Sequence, residues 1–137
     1  MASRGLYTPE ILAAAMTLTQ FPWDDAFGRK GSARSRSCGS TIEMGLTLDA
    51  QGRITTLGIR PHACAVGQAA ASLFARNAIG LDAVQIATAR DDLATWLSDD
   101  GNAPDWPEID LLASARTYPA RHGAILLAWD AALDALS

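Results

Sequence analysis

The sequence has no apolar run long enough to cross a membrane and no apolar stretch near its start that would serve as an export signal. A membrane-spanning helix needs a run of about 18 or more apolar residues, which the sequence lacks, and the opening "MASRGLYTPE" has no apolar stretch like that of a signal peptide. We therefore expect a protein that does not enter membranes and lies in the cytoplasm. The chain has only 2 cysteines. Without an export signal they argue against a disulfide framework and leave metal binding, thiol chemistry or simple burial.

Several motifs of known chemistry are also missing. The chain has no Gly-x-Ser-x-Gly elbow, no phosphate-binding glycine loop and no His-Glu-x-x-His pair, so no hydrolase is expected. The net charge of −4, with no aromatics among the clustered basic residues, argues against nucleic-acid binding. That cluster, Arg29, Lys30, Arg34 and Arg36, lies just ahead of Cys38. It is consistent with a solvated loop, a docking surface for an acidic partner, or cations that stabilise a thiolate.

The composition predicts one globular domain over residues 1–137. Its length and its 49% apolar content suffice to bury a core. Thr8 as N-cap and Pro9 at the first helical position predict a short N-terminal helix. Residues 21–37 combine glycine, proline, serine and charge without a sustained period, which predicts a surface loop.

The period becomes two from Ile42 to Leu48, and "DAQG" followed by "RITTLGI" predicts a β-hairpin. Apolar residues then recur at helical spacing from Cys64 to Asn77, with Gly80 placed as a C-cap glycine. Cys64 would therefore lie at a helix entrance. Backbone N–H groups and the helix dipole there stabilise a thiolate, although a thiol among alanines is equally compatible with simple packing.

Further helices are predicted downstream, and the last one carries two stripes. One stripe is all alanine, which permits close backbone approach, and the other begins with His122. The members of the two stripes are Ala124, Ala128, Ala131 and Ala135, and His122, Leu126, Trp129 and Leu133. The order of elements predicts an α+β fold, with a small antiparallel sheet of about three strands and helices packed on one face.

Two segments carry a resemblance to a known family. They are "SCGSTIEMGLTLDAQGRITTLGIRPHACAVGQAAASL" and "RTYPARHGAILLAWDA". Together they resemble the U-type iron–sulfur cluster assembly scaffolds, the NifU N-terminal, IscU and SufU family, most closely the SufU branch. The similarity extends from about Tyr7 to the C-terminus and implies a SufE/NifU-like fold. In that family three cysteines and an aspartate bind a nascent cluster or zinc, and SufU-like members pass on persulfide sulfur from a cysteine desulfurase.

The resemblance assigns roles by position. Cys38 matches the first cysteine and Cys64 the second, whereas Ser40 replaces the aspartate and Ala124 stands where the third cysteine belongs. Arg121 matches a basic residue of the family three positions before that missing cysteine. Half of the expected ligand set is therefore absent, and a stable zinc or cluster site usually needs about four ligands, or three and an open position.

A histidine is one candidate to complete the set. His122 is offset by about 200° from Ala124 on an ideal helix, so it should point away from the site and lie buried or half-buried. His62 lies two residues before Cys64, and in an extended segment both side chains would project to the same side. His62 is accordingly a possible third ligand, or an ordinary residue at a strand end.

Two functions remain open from the sequence. The first is a non-enzymatic iron–sulfur assembly scaffold that holds an Fe–S cluster, iron or zinc through Cys38 and Cys64, completed by His62, Ser40, water or a second chain. The second is a metal-free homologue that carries persulfide sulfur on Cys64 or Cys38, or acts as an interaction module. The expected partners are a cysteine desulfurase and Fe–S acceptor proteins, with a homodimer possible. The hairpin should also bring the two sulfurs close together.

Overall fold

The structure is a computed structural model that describes residues 6–37, 39–99 and 101–137. In chain order it has α1 (Pro9–Met16), a 3-10 turn (Thr17–Gln20), β1 (Arg29–Arg34), β2 (Thr41–Leu48), β3 (Ile54–His62), α2 (Ala65–Asn77), α3 (Ala83–Ser98), two 3-10 segments (Ile109–Thr117 and Pro119–Arg121) and α4 (His122–Leu136). The strands form an antiparallel sheet of order β1-β2-β3. The predicted α+β class and the three-stranded sheet are confirmed.

The predicted hairpin is the β2–β3 pair. Thr41 lies opposite His62, and Gly45 lies opposite Gly58. The alternation places Ile42 and the next inward residues of β2 on a fully buried face, against the helices. This register brings the start of β2 and the end of β3 to the same end of the sheet.

The predicted surface loop over residues 21–37 is wrong in part, because Arg29–Arg34 forms β1 and pairs with β2. Its inward positions are the small residues Gly31 and Ala33, so the segment lacks the large apolar side chains that reveal a strand in a sequence. Helix α4 packs against these small residues and occupies the space that larger side chains would fill. A Cβ on Gly31 would lie 2.5 Å from the carbonyl oxygen of Ala131 and 2.9 Å from Cα of Ala135.

The alanine stripe of α4 permits this close approach. Its four alanines are all buried, and the helix packs on β1 and β2 with one side and on α2 and α3 with others. An aromatic cluster of Phe74, Trp106 and Trp129 fills the centre, with ring centroids 5.2–5.6 Å apart. The prediction that the alanine stripe permits close backbone approach is confirmed.

The segment between the Thr17–Gln20 turn and β1 crosses the face of the sheet opposite α4. Phe27 lies over the glycine pair Gly45 and Gly58, where an added Cβ on either residue would come within 2.7 Å of its ring. The two glycines therefore form the notch that seats this ring. Helices cover one face of the sheet, as predicted, and a loop covers part of the other.

Both edges of the sheet are partly closed by other parts of the chain. On β3, the Ile59 N–H donates to the carbonyl oxygen of Phe21 (2.9 Å), and Pro61 has no N–H to offer. On β1, the Ser32 N–H donates to the carboxylate of Asp134 (2.9 Å). These contacts remove backbone donors that a foreign strand would otherwise pair with.

The helix starts follow the sequence signals. The Thr8 hydroxyl accepts a hydrogen bond from the Ile11 N–H (3.1 Å), and Cys64 is the N-cap of α2. Gly80, at φ +89°, adopts the left-handed conformation in the turn after α2. Within the described residues, no helix combines the length and apolar character that a membrane span requires.

Candidate functional site

A groove of about 510 Å³ opens at the end of the sheet where β2 begins and β3 ends. The start of α2 and the turn before α4 complete it, because the Thr41–His62 register brings these chain segments together. Among the described residues, its lining is mainly polar and includes no carboxylate. It consists of Gly39, Ser40, Pro61, His62, Ala63, Cys64, Gln68 and Arg121.

Cys64 lies in this groove at the helix entrance that the sequence predicts. Its backbone is extended (φ −66°, ψ 167°), its carbonyl oxygen accepts from the Gln68 N–H (2.9 Å), and its side chain makes no capping hydrogen bond. The residue is half-buried, packed on one side against the core and open on the other to the groove. Cys64 is thus held by packing on one side and borders the groove on the other.

Gln68 is a groove residue that sequence reasoning missed. Its side-chain amide donates to the carbonyl oxygen of Ala63 (2.9 Å), so it braces the extended segment that leads into Cys64. The available signal was its spacing, since residues four apart share a helix face. Gln68 was overlooked because a single polar residue among alanines shows no pattern of its own.

His62 and Arg121 also line the groove. β3 continues as far as His62, so that exposed side chain and Cys64 lie in the same cavity. Arg121 ends the short 3-10 segment ahead of α4 and is half-buried. By contrast, His122 is half-buried with Nε2 2.9 Å from the carbonyl oxygen of Arg116, which confirms the burial predicted for it.

Hydrogen bonds of residues on either side of Cys38 tie the β1–β2 loop to the 3-10 segment before α4 and close the base of the loop. Ser37 Oγ donates to the carbonyl oxygen of Ala120 (2.8 Å), and the Ser35 N–H donates to the Ser40 carbonyl oxygen (2.8 Å). Gly39 takes the left-handed conformation (φ +72°) that this turn requires. Cys38 itself lies outside the described residues, so its distance from Cys64 stays a prediction.

The positions that depart from the family pattern are both buried. Ala124 has no exposed surface and contacts Gly67 of α2, where an added Cβ would meet the Ala124 methyl at 3.5 Å. Ser40 is only 5% exposed. A methyl and a hydroxyl therefore stand where the family resemblance implies a thiolate and a carboxylate. In the described part of the chain, no three His, Cys, Asp or Glu residues cluster as metal ligands would.

The outer sheet face next to the groove carries an ion pair. Arg60 donates two hydrogen bonds to the Glu43 carboxylate (2.9 and 3.0 Å) and stacks on the ring of Trp23 at 4.5 Å. These bonds lower the pKa of Glu43 below its usual value and raise that of Arg60. The carboxylate nearest to His62 along the sheet is thus already paired.

Comparison with known proteins decides the family. No protein-family model and no curated protein matches the chain. Among solved structures, the N-terminal part of a nitrogen-fixing NifU-like protein from Brucella abortus matches with a TM-score of 0.89 and 30% identity, covering 99% of this chain and 95% of that one. The chain belongs to the U-type iron–sulfur scaffold family.

More distant solved structures share the fold. A protein named as an iron–sulfur cluster assembly scaffold for the SUF system, from Fervidobacterium islandicum AW-1, has a TM-score of 0.84 and 20% identity, over 98% of this chain and 99% of that one. A hypothetical protein has a TM-score of 0.69 and 18% identity, over 92% and 96% of the two chains. The particular likeness to the SufU branch stays a prediction within the U-type family.

Proposed function

We propose that this protein works in iron–sulfur cluster assembly as a scaffold-like protein, which holds a transient Fe–S cluster, iron or zinc as cargo in the groove. Family membership supports the pathway. The observation that carries the site is the half-buried Cys64 thiol, which no capping hydrogen bond engages, at the mouth of a polar groove with His62. The protein is proposed to hold and hand on its cargo rather than to catalyse a reaction.

The proposed ligands are the thiolates of Cys38 and Cys64. Thiolates are the ligands that zinc and iron–sulfur centres prefer, and imidazole suits iron and zinc as well. His62 is exposed on the same groove, so it is the described residue best placed to supply a third ligand. A fourth position would be open to a partner, to water or to a second copy of the chain.

The residues around the thiol support this chemistry. The N-terminus of α2 and the cation of Arg121 favour negatively charged cargo such as sulfide in the groove. Gln68 braces the Ala63 carbonyl and so restricts the segment that carries Cys64. Because the groove is open, the site would be accessible to the two proposed partners. These are a cysteine desulfurase that delivers sulfur and an acceptor protein that removes the cluster.

Anaerobic reconstitution tests this proposal. Purified protein is mixed with ferrous iron, cysteine and a cysteine desulfurase, and the visible absorption of sulfide-to-iron charge transfer is followed. Wild type should acquire these bands, Cys64→Ala should not, and His62→Ala should acquire them and lose them faster to a chelator. Bands of equal size in Cys64→Ala would contradict the assignment of the site.

A metal-free carrier is the second candidate, and the buried methyl of Ala124 favours it, because a third thiolate is absent from that position. In this version the Cys64 thiolate attacks the outer sulfur of a persulfide on the desulfurase. A new S–S bond forms on Cys64 as the S–S bond of the donor breaks, and the donor cysteine leaves as a thiolate. The measurement is intact mass after incubation with desulfurase and cysteine. A gain of one sulfur atom that reductant reverses, without bound metal, would favour this candidate over the scaffold.

A further inference from the structure

The end of the sheet beside the groove carries a concentration of positive charge. Arg34 lies opposite Thr41 on β2, and Thr41 lies opposite His62 on β3, so these three residues form one row across the outer face. Arg34 and His62 are exposed at the two ends of that row. Arg36 is exposed in the turn that follows β1, and Arg121 lines the groove itself. We call Arg34, Arg36 and Arg121 the basic rim, and His62 lies beside it.

Acidic groups are absent from the groove lining among the described residues, although the chain is acidic overall at −4. Glu43, in the next row of the outer face, is held by Arg60. A basic rim on an acidic protein attracts acidic partners, whereas the net charge of −4 on each copy opposes self-association.

An apolar pocket of about 320 Å³ adjoins the groove on the other side of Pro61 and Gln68, which line both cavities. Its remaining lining includes Leu18, Phe21, Pro22 and Ile59. The pocket has no role in the proposed binding of metal or cluster, because its lining includes no thiol, imidazole or carboxylate. A pocket of this kind accepts an apolar anchoring side chain, and the nearby polar surface fixes its orientation.

We propose that the basic rim and the apolar pocket together dock an acidic segment of a partner protein, with one apolar side chain of that segment inserted in the pocket. Carboxylates flanking the anchor would lie against Arg34 and Arg36. Strand addition on β3 is disfavoured here, because the Ile59 N–H is used by Phe21 and Pro61 has no N–H. The segment would thus be recognised through its side chains.

The probe for this surface is a short fluorescein-labelled peptide of glutamates around a central leucine, followed by fluorescence anisotropy. The charge arm compares Arg34→Glu combined with Arg36→Glu against Arg53→Glu. Arg53 is also exposed, but it lies at the far end of the β2–β3 hairpin. The double variant should weaken binding by at least about tenfold, the Arg53 control by much less, and added salt should weaken binding to wild type.

The pocket arm replaces the leucine of the peptide by serine, and in a second protein variant fills the pocket with Thr19→Trp. Thr19 is exposed and lines the pocket, so the change adds bulk without removing core contacts. Either change should weaken binding severalfold, and together they should weaken it no further. The comparison of the leucine and serine peptides uses the wild-type protein, so it tests the pocket even if the Thr19→Trp variant does not fold.

Four outcomes would overturn the proposal: no binding up to millimolar peptide, an equal loss with Arg53→Glu, equal binding of the leucine and serine peptides, or equally tight binding of a lysine peptide or a single-stranded oligonucleotide. The assay contains no metal and no desulfurase. A failure here is therefore distinct from a failure of the proposed cargo.

Discussion

Ala124→Cys would place a thiol where the family resemblance implies a third ligand. The site is fully buried and in contact with Gly67, so the added sulfur has to displace packed atoms. Overpacking of this kind costs about 1–3 kcal/mol in the metal-free protein. At roughly 3–5 °C per kcal/mol for a chain of this size, the apo variant should melt several degrees below wild type.

Zinc should reverse that loss if position 124 still faces the two native cysteines. A metal present at about 100 times its dissociation constant stabilises the folded state by roughly 2.7 kcal/mol, or about 10 °C here. Adding Ser40→Asp should increase the zinc effect, because a carboxylate replaces a buried hydroxyl beside the groove. Binding should also release protons, since thiols must lose theirs to bind metal.

The assay is thermal unfolding of wild type, Ala124→Cys and the double variant, each with zinc and with chelator. Ala128→Cys is the matched control, because it adds the same thiol to the same buried stripe one helical turn further from the groove. A zinc-dependent rise in Tm for Ala124→Cys no larger than that of Ala128→Cys would refute the reasoning. It would mean that α4 does not present position 124 to the groove.

Other features give independent predictions. Gly31→Ala should cost at least about 2 kcal/mol in urea unfolding, because the new Cβ meets the backbone of α4, while Gly28→Ala, with open space around it, should be near neutral. Arg60 holds the pKa of Glu43 below its usual value, so the pair stabilises the fold above the unfolded pKa, and this contribution is lost as pH falls through the folded one. The stability gap between wild type and Glu43→Gln should therefore close in acid, and a gap independent of pH in urea titrations would contradict this. Cys64 should react with iodoacetamide in the folded protein at neutral pH, measured by mass spectrometry in a Cys38→Ala background, and alkylation only after unfolding would indicate a purely packed thiol.

The sequence predicts well the elements whose residues carry a strong period or a cap. Alternating apolar residues predict the β2–β3 hairpin, Thr8 and Pro9 predict the start of α1, and the helical spacing of apolar residues predicts α2. The sequence pattern does not predict β1, because its inward residues, Gly31 and Ala33, are small. Their size is meaningful only beside the alanine stripe of α4, which lies about a hundred residues further along the chain.

Only part of the groove could be predicted from the sequence, because some of its features depend on contacts between distant residues. The family resemblance and the local spacing pointed to Cys64, His62 and Arg121, which share one cavity in the structure. The bracing by Gln68 and the pocket beyond Pro61 depend on tertiary contacts that leave no pattern in one sequence. The same holds for Phe27, whose seat consists of two glycines on different strands.

The most direct test of the proposed cargo is the metal and sulfide content of protein purified anaerobically without a tag. Elemental analysis compares wild type with Cys38→Ala and Cys64→Ala. The scaffold function predicts iron with acid-labile sulfide, or zinc, in wild type and a loss of that metal in both variants. Wild type without metal, or metal that survives both substitutions, would contradict it.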